Sequence, residues 1–260
     1  MIREGKNMFR KLLLSVAAIG ALAFAAPSHA TLFQVGFLLD SSGSITASGW
    51  NTIRTGLANS IPLFLATSPT DQYELSVMSF SSTTSTIVAP TVITAGNLAT
   101  LQSQITAAPF LAQNTNFSLA FTNMTTLMNP GASSAAASYI NFSTDGVPNE
   151  GGNEAGGVLA RNAAIAAGID NISVEGIGSG VNVGYLTGSI CYPQACDTTQ
   201  PFNFPAQGFY IPVAGTADYE AAVRTKIAAI TGVPEPASLA LLGTGLLGLG
   251  ALVRRRRNSA

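Results

Sequence analysis

The stretch Phe33-Gln34-Val35-Gly36-Phe37-Leu38-Leu39, followed directly by Asp40-Ser41-Ser42-Gly43-Ser44, decides how this chain reads. A short apolar run bounded by a turn cluster reads as a strand buried on both faces of a parallel sheet. Open α/β sheets bind their ligands outside the carboxyl ends of the strands. A D-x-S-x-S cluster at such an end aims one carboxylate and two hydroxyls at a single point. That donor set is hard oxygen, suited to Mg²⁺ or Mn²⁺, with Ca²⁺ as a larger alternative, rather than to zinc. The same string also reads as a polar turn, or as the N-cap of a helix starting near Ser44 or Thr46.

Outward from this stretch, strand and helix patterns alternate. Strands are expected at 33–40, 73–82, 86–93, 137–144, 171–178 and 208–214. Helices are expected at 46–65, 97–107, 117–129, 153–168 and 217–230. This order predicts an α/β fold, a doubly wound and mainly parallel sheet with helices on both faces. The Ser/Thr-rich connection between 73–82 and 86–93 predicts a hairpin, and with it one antiparallel edge strand.

Two further segments converge on the first. The run 137–144 ends in Asp145-Gly146, and Asn114-Thr115-Asn116-Phe117 places Thr115 on a loop ahead of a helix. D-x-S-x-S, a loop threonine and a strand-terminal T-D-G, in that order, resemble the von Willebrand factor A domain and its metal-ion-dependent adhesion site. The resemblance covers about residues 31–230. It implies that Asp40, Ser42, Ser44, Thr115 and Asp145 hold one divalent cation, with a coordination position open to an acidic group of a partner. Two departures touch the threonine loop. Gln113-Asn114 stands where the family commonly has Gly-Gly or Gly-Asn, and Phe117 where a second threonine often follows.

Both ends read as targeting segments. Arg3, Lys6, Arg10 and Lys11 precede an apolar run from Leu12 to Ala26, and Ser28-His29-Ala30 forms a small-residue cleavage site ending at Ala30. Residues 1–30 are therefore expected to be a signal peptide, with Met8 as a second candidate start. At the other end, Val233-Pro234-Glu235-Pro236 precedes the apolar stretch 237–253 and then Arg254 to Arg257. Seventeen helical residues reach about 26 Å, enough for a bilayer core, with the arginines on the cytoplasmic side. Residues 233–260 resemble the PEP-CTERM sorting signal of Gram-negative bacteria. The resemblance implies transient anchoring in the inner membrane, cutting by an exosortase and release to the cell surface or extracellular matrix. A plain C-terminal anchor is the alternative.

Between the two signals, 31–232 reads as one domain. Four basic and eleven acidic side chains leave it at −7. A body this acidic is unsuited to nucleic acid and suited to cations. The one histidine, His29, lies in the leader. Ser-His-Asp, Cys-His and the usual zinc hydrolase sites are therefore excluded from the exported part. Carboxylate-pair catalysis by Asp40 and Asp145 stays open in principle. Residues 179–207 read as an insertion. Its Cys191 and Cys196 are expected to form a local disulfide, with a redox or metal role as the alternative.

The remaining residues receive structural readings. Lys226 reads as part of a solvated helix face. Trp50 and Arg54 are expected to cover apolar surface, and Glu150 and Glu154 to favour a helix N-terminus. Phe202, Phe204, Phe209 and Tyr210 read as core or as a contact surface.

The expectation is a non-enzymatic, surface-directed module that binds an acidic protein or exopolysaccharide through a divalent cation, in a matrix or biofilm. A matrix protein with a purely structural metal, or a metal-assisted hydrolase, are the alternatives.

Overall fold

Ten consecutive residues, Thr31–Asp40, form strand β1 at the centre of the sheet. The structure is a computed structural model and describes residues 30–66 and 71–232. The other strands are β2 (Asp71–Phe80), β3 (Thr84–Val92), β4 (Ala137–Thr144), β5 (Asn171–Ile177) and β6 (Tyr210–Val213). They lie in the order β3-β2-β1-β4-β5-β6. Only the β2–β3 pair is antiparallel. The expected hairpin edge is thus present. The chain winds outward from β1 through β2 to β3, then returns to β4 on the other flank. Crevices for ligands open at such a switch point.

Five helices cover the sheet: α1 (Thr46–Ser60), α2 (Leu98–Thr106), α3 (Phe117–Met128), α4 (Asn153–Ala166) and α5 (Tyr219–Thr231). Side chains of β1 alternate between two cores. Val35, Phe37 and Leu39 pack with Trp50, Ile53 and Leu57 of α1 and Tyr219, Val223 and Ile227 of α5. Leu38 packs on the other face with Phe117, Phe121 and Met124 of α3. A fully buried Phe or Leu contributes about 1.5–3 kcal/mol, so this double burial holds β1 in register. Gly36 makes room for α3, because a Cβ there would stand 2.6 Å from Met128 Sδ. The helix expected over 46–65 ends at Ser60, and Pro62 turns the remainder into a 3₁₀ segment, Ile61–Leu65.

Several sequence expectations are corrected or sharpened here. Lys226 is not on a solvated face. It is fully buried, 2.7 Å from the equally buried Glu175 of β5, and donates to Ser173 O at 3.1 Å. Burial pulls its ammonium pKa down, and the neighbouring Glu175 charge opposes that fall. The four-carbon stem of lysine let α5 bury this position; periodicity alone cannot distinguish such a residue from an exposed one.

Trp50 is buried, and its Nε1 donates to Ala108 O at 3.0 Å, a carbonyl shared with Arg54 Nη1 at 2.6 Å. Phe209 and Tyr210 are buried in the two different cores, and Phe202 and Phe204 pack against the one that holds Phe209, so the core reading of this aromatic group holds. The signal peptide apart from Ala30, the Val233-Pro234-Glu235-Pro236 motif and the transmembrane span expected at 237–253 lie outside the described residues. Among the described residues no helix is long and apolar enough to cross a membrane.

Candidate metal centre

Three loops meet beyond the carboxyl ends of β1 and β4, and backbone hydrogen bonds fasten them together. The Asp40–Ser44 turn is fixed to β2 by Ser41 N to Phe80 O (2.8 Å) and to the threonine loop by Gly43 N to Gln113 O (2.8 Å) and Ala112 N to Ser41 O (2.9 Å). The threonine loop is fixed in turn to the segment after β4. Asn149 N and Glu150 N both donate to Thr115 O, at 3.0 and 3.2 Å, while Thr115 N donates to Asn149 Oδ1 at 2.8 Å.

The departures noted in the sequence serve this arrangement. Gln113 Oε1 accepts from Ser81 and Thr83, each at 3.3 Å. Asn114 donates to Glu150 at 2.7 Å. Phe117 is fully buried against Phe80 and Phe142.

Four of the five expected site residues form one chain of hydrogen bonds. Ser42 N donates to Asp40 Oδ1 at 2.8 Å. The Ser42 and Ser44 hydroxyls lie 3.1 Å apart. Ser44 Oγ donates to Asp145 Oδ1 at 2.7 Å. Thr115 is buried, but its backbone is tied to Asn149 and Glu150 rather than to the other four. Neither serine caps α1: Thr46 Oγ1 accepts from Gly49 N instead, at 3.2 Å. The N-cap role expected of the turn is thus filled further along the chain, and both serine hydroxyls stay in the cluster.

Thr144 is the residue that sequence reasoning passed over. Its hydroxyl donates to Asp40 Oδ2 at 2.6 Å. The signal was present, since a residue preceding a strand-terminal Asp lies beside the neighbouring strand's end. Its partner, however, depends on the β1–β4 register.

Burial dominates the electrostatics. It pushes the Asp40 carboxyl up to about 6, against bonds from Ser42 and Thr144 that lower it and with the Asp145 charge adding to the rise. Asp145 is raised as well, again by burial, with the Ser44 bond opposing. No lysine or arginine pairs with either carboxylate among the described residues. Two carboxylates and two serine hydroxyls, all oxygen, with a buried Asp40 that no basic group answers among the described residues, fit a hard divalent cation.

The segment between β5 and β6 borders this centre. Gly180 packs so closely on the Asp145 carbonyl that a Cβ would stand 2.5 Å from its oxygen. Asn182 Nδ2 donates to Glu154 Oε1 at 2.8 Å. Glu154 sits in the first turn of α4, as expected, whereas Glu150 lies ahead of that helix and bonds to Asn114. Further along, Cys191 and Cys196 are joined as a disulfide with Cα atoms 5.3 Å apart. Arg161 of α4 ties the same segment down through the Ile190 and Cys191 carbonyls.

A doubly wound sheet with an all-oxygen cluster at its switch point defines the class, and comparison gives the family. The sequence model of the von Willebrand factor type A domain matches residues 34–195, and the chain belongs to that family. The PEP-CTERM protein-sorting motif matches residues 232–257 and marks the chain as an exported protein of the cell surface or exterior. Comparison with curated proteins found no match.

Among solved structures, proximal thread matrix protein 1 from the mussel byssus aligns at 13% identity and a TM-score of 0.58, over 78% of this chain and 49% of that one. A further structure of that mussel protein is described with a zinc-occupied MIDAS motif. Manganese-loaded TRAP protein of Plasmodium vivax aligns at 21% identity and a TM-score of 0.52, over 78% and 74% of the two chains. The pilus adhesin SpaC of Lactobacillus rhamnosus GG aligns at 13% identity and a TM-score of 0.57, over 77% and 31%. The chain thus spans about half the length of the mussel protein, at 49%. These likenesses bear on the fold.

Proposed function

We propose that this protein is an exported binding module that engages an acidic group of a partner through one divalent cation held by Asp40, Ser42, Ser44, Thr115 and Asp145. The observation that carries the reading is the continuous link from Asp40 through Ser42 and Ser44 to Asp145, at the switch point of the sheet. Asp40 and Asp145 supply the negative charge, the three hydroxyls fill the remaining oxygen positions, and Thr144 orients Asp40 from behind. The bound cation supplies a hard Lewis-acid position to which a partner carboxylate can coordinate. Mg²⁺ and Mn²⁺ suit the donors best, with Ca²⁺ next. The manganese and zinc named for two structural neighbours support a divalent ion without choosing one.

The organisation proposed is a signal peptide over 1–30 cut after Ala30, the binding domain over 31–232, and a sorting tail over 233–260. In this reading the tail crosses the inner membrane at 237–253 until an exosortase cuts near Val233-Pro234-Glu235-Pro236. The protein then reaches the surface or matrix of a Gram-negative cell, where its partner is an acidic protein or exopolysaccharide. The acidic body makes nucleic acid an unsuitable partner, and the absence of any histidine in 31–232 disfavours enzyme chemistry.

Calorimetric titration of Mg²⁺, Mn²⁺ and Ca²⁺ into metal-stripped 31–232 tests the reading, beside Asp40→Ala and Asp145→Ala. One saturable site, lost in both variants, is the expected result. A folded wild-type domain that takes up none of the three ions would leave a structural matrix protein as the better reading.

A further inference from the structure

Strand β1 begins at Thr31 and ends at Asp40, in the cation cluster. Its length puts about 30 Å between the two. The pole opposite the cluster is therefore built from the amino ends of the strands. Helix α5 runs towards that pole: Tyr219 meets Ser143 near the carboxyl end of β4, and Lys226 meets Ser173 near the amino end of β5. Gly232 caps α5 there. The chain thus enters and leaves the domain at one pole, and the cluster occupies the other.

The entry pole carries partly exposed apolar surface. A row of five rings crosses it, Phe64, Tyr73, Phe33, Tyr139 and Phe204, with successive centroids 5.0, 5.7, 6.1 and 4.9 Å apart. Phe33 and Phe204 are only partly buried, and so is Ile230 in the last turn of α5. Leu63 is also partly buried, and Leu65 is 40% exposed, both on the Ile61–Leu65 segment that packs on α5. Among the described residues no basic side chain lies at this pole. Arg54 and Arg161 are turned onto the carbonyls of Ala108 and Ile190, Lys226 is buried, and Arg224 bonds to Glu220 and Asn59 O about two turns before Gly232. Asp71 and Asp170 stand at the starts of β2 and β5. An apolar collar with carboxylates and no bases suits zwitterionic lipid, whose ammonium groups point outward, rather than an anionic surface.

The chain that continues from this pole says what covers it. Only Val233, Pro234, Glu235 and Pro236 separate Gly232 from the apolar stretch 237–253. Four residues reach about 14 Å at most. With that stretch in a bilayer, so short a tether holds the collar against the lipid at high effective concentration.

We infer that the pole around Phe33, Leu63, Leu65 and Ile230 is a membrane-contact surface, on which the anchored protein stands with its cation cluster turned away from the lipid. This rests on the reading of 237–253 as a membrane span. The cluster then lies about 30 Å from the contact, the length of β1, and is open to a partner while the tail is still uncut.

The experiment uses the exported chain with its tail, residues 31–260, in phosphatidylcholine vesicles that carry a nitroxide on some headgroups. Flotation with the vesicles establishes anchoring before any label is read. A fluorophore is then attached through Ala66→Cys at the collar or through Val147→Cys beside the cluster. Ala66 and Val147 are both exposed, and the native cysteines are joined to each other. The Ala66→Cys label is expected to lose most of its fluorescence and the Val147→Cys label almost none. Leu65→Glu in the Ala66→Cys chain places a charge in the contact and is expected to restore the fluorescence without changing flotation. A tether alone would not respond to it. Equal quenching of the two labels, including none at either, or quenching at Ala66→Cys that survives Leu65→Glu, overturns the inference and leaves the anchor standing. A chain that does not float overturns both.

Discussion

The hydroxyl of Thr144 donates to Asp40 Oδ2 across 2.6 Å, with both side chains fully buried. The bond joins the ends of β1 and β4, the two strands that flank the switch point. Asp40 has one oxygen held by Ser42 N and the other by Thr144, so its carboxylate has a single orientation. A group that orients a metal-binding carboxylate tunes affinity without touching the ion, and losing it typically costs about 10–100-fold.

Thr144→Val keeps the shape and removes the donor. Divalent-cation affinity should fall by about tenfold. The metal-free domain should lose about 1–3 kcal/mol, because a buried carboxylate oxygen is left without its partner. Thr144→Ser should recover most of both. Calorimetry and urea unfolding read the two quantities. Unchanged cation affinity in Thr144→Val would remove Thr144 from the site.

The pH dependence should change sign with the cation. Burial disfavours the Asp40 charge and pushes its carboxyl up to about 6 in the folded protein, above the ordinary carboxylate range. The metal-free fold therefore holds more protons than the unfolded chain between about 4 and 6. Its stability from this group is fully present below about 4 and is lost as pH rises through 6. Asp145, also raised, acts in the same direction. Cation binding needs the ionised form, so affinity should weaken by roughly tenfold for each pH unit below about 6. Thermal unfolding from pH 4 to 8, with and without Mg²⁺, should give curves that diverge as pH rises. A constant gap across this range would contradict the assignment of Asp40 to the cation.

The fold was legible because its centre is a run of seven apolar or amide residues that no amphipathic pattern competes with. Strand 137–144 was read to the residue for the same reason: it is buried on both faces. The four side chains Asp40, Ser42, Ser44 and Asp145 were legible because each follows a strand end, where topology fixes position. Thr144's role was not, because it depends on which strand lies beside β4. The Glu175–Lys226 pair was hidden for a different reason. Charged residues are almost never fully buried unless paired, and the pair is separated by fifty-one positions, so neither member signals the other. The close approach of Gly180 to the Asp145 carbonyl likewise depends on loop packing that local pattern does not encode.

That buried pair makes the sharpest stability prediction. Lys226 Nζ lies 2.7 Å from Glu175 Oε1, with both side chains fully inaccessible. Glu175 Oε2 accepts from Ser143 Oγ at 3.0 Å, and Ser143 Oγ lies 2.9 Å from the Tyr219 hydroxyl. One network therefore fastens α5 to β5 and to the residue just before Thr144. Lys226→Met strands a carboxylate in the core and should cost about 3–5 kcal/mol, whereas replacing both charges by apolar residues of similar size is often neutral or stabilising. Lys226→Met with Glu175→Leu should therefore recover most of that loss, although Ser143 then keeps only Tyr219. Urea unfolding of the metal-stripped protein at neutral pH measures both. A loss below about 1 kcal/mol in Lys226→Met would mean that water reaches Glu175 in solution, because a dry, unpaired carboxylate cannot be that inexpensive. A double variant no more stable than the single would show instead that the pair is needed to specify how α5 docks.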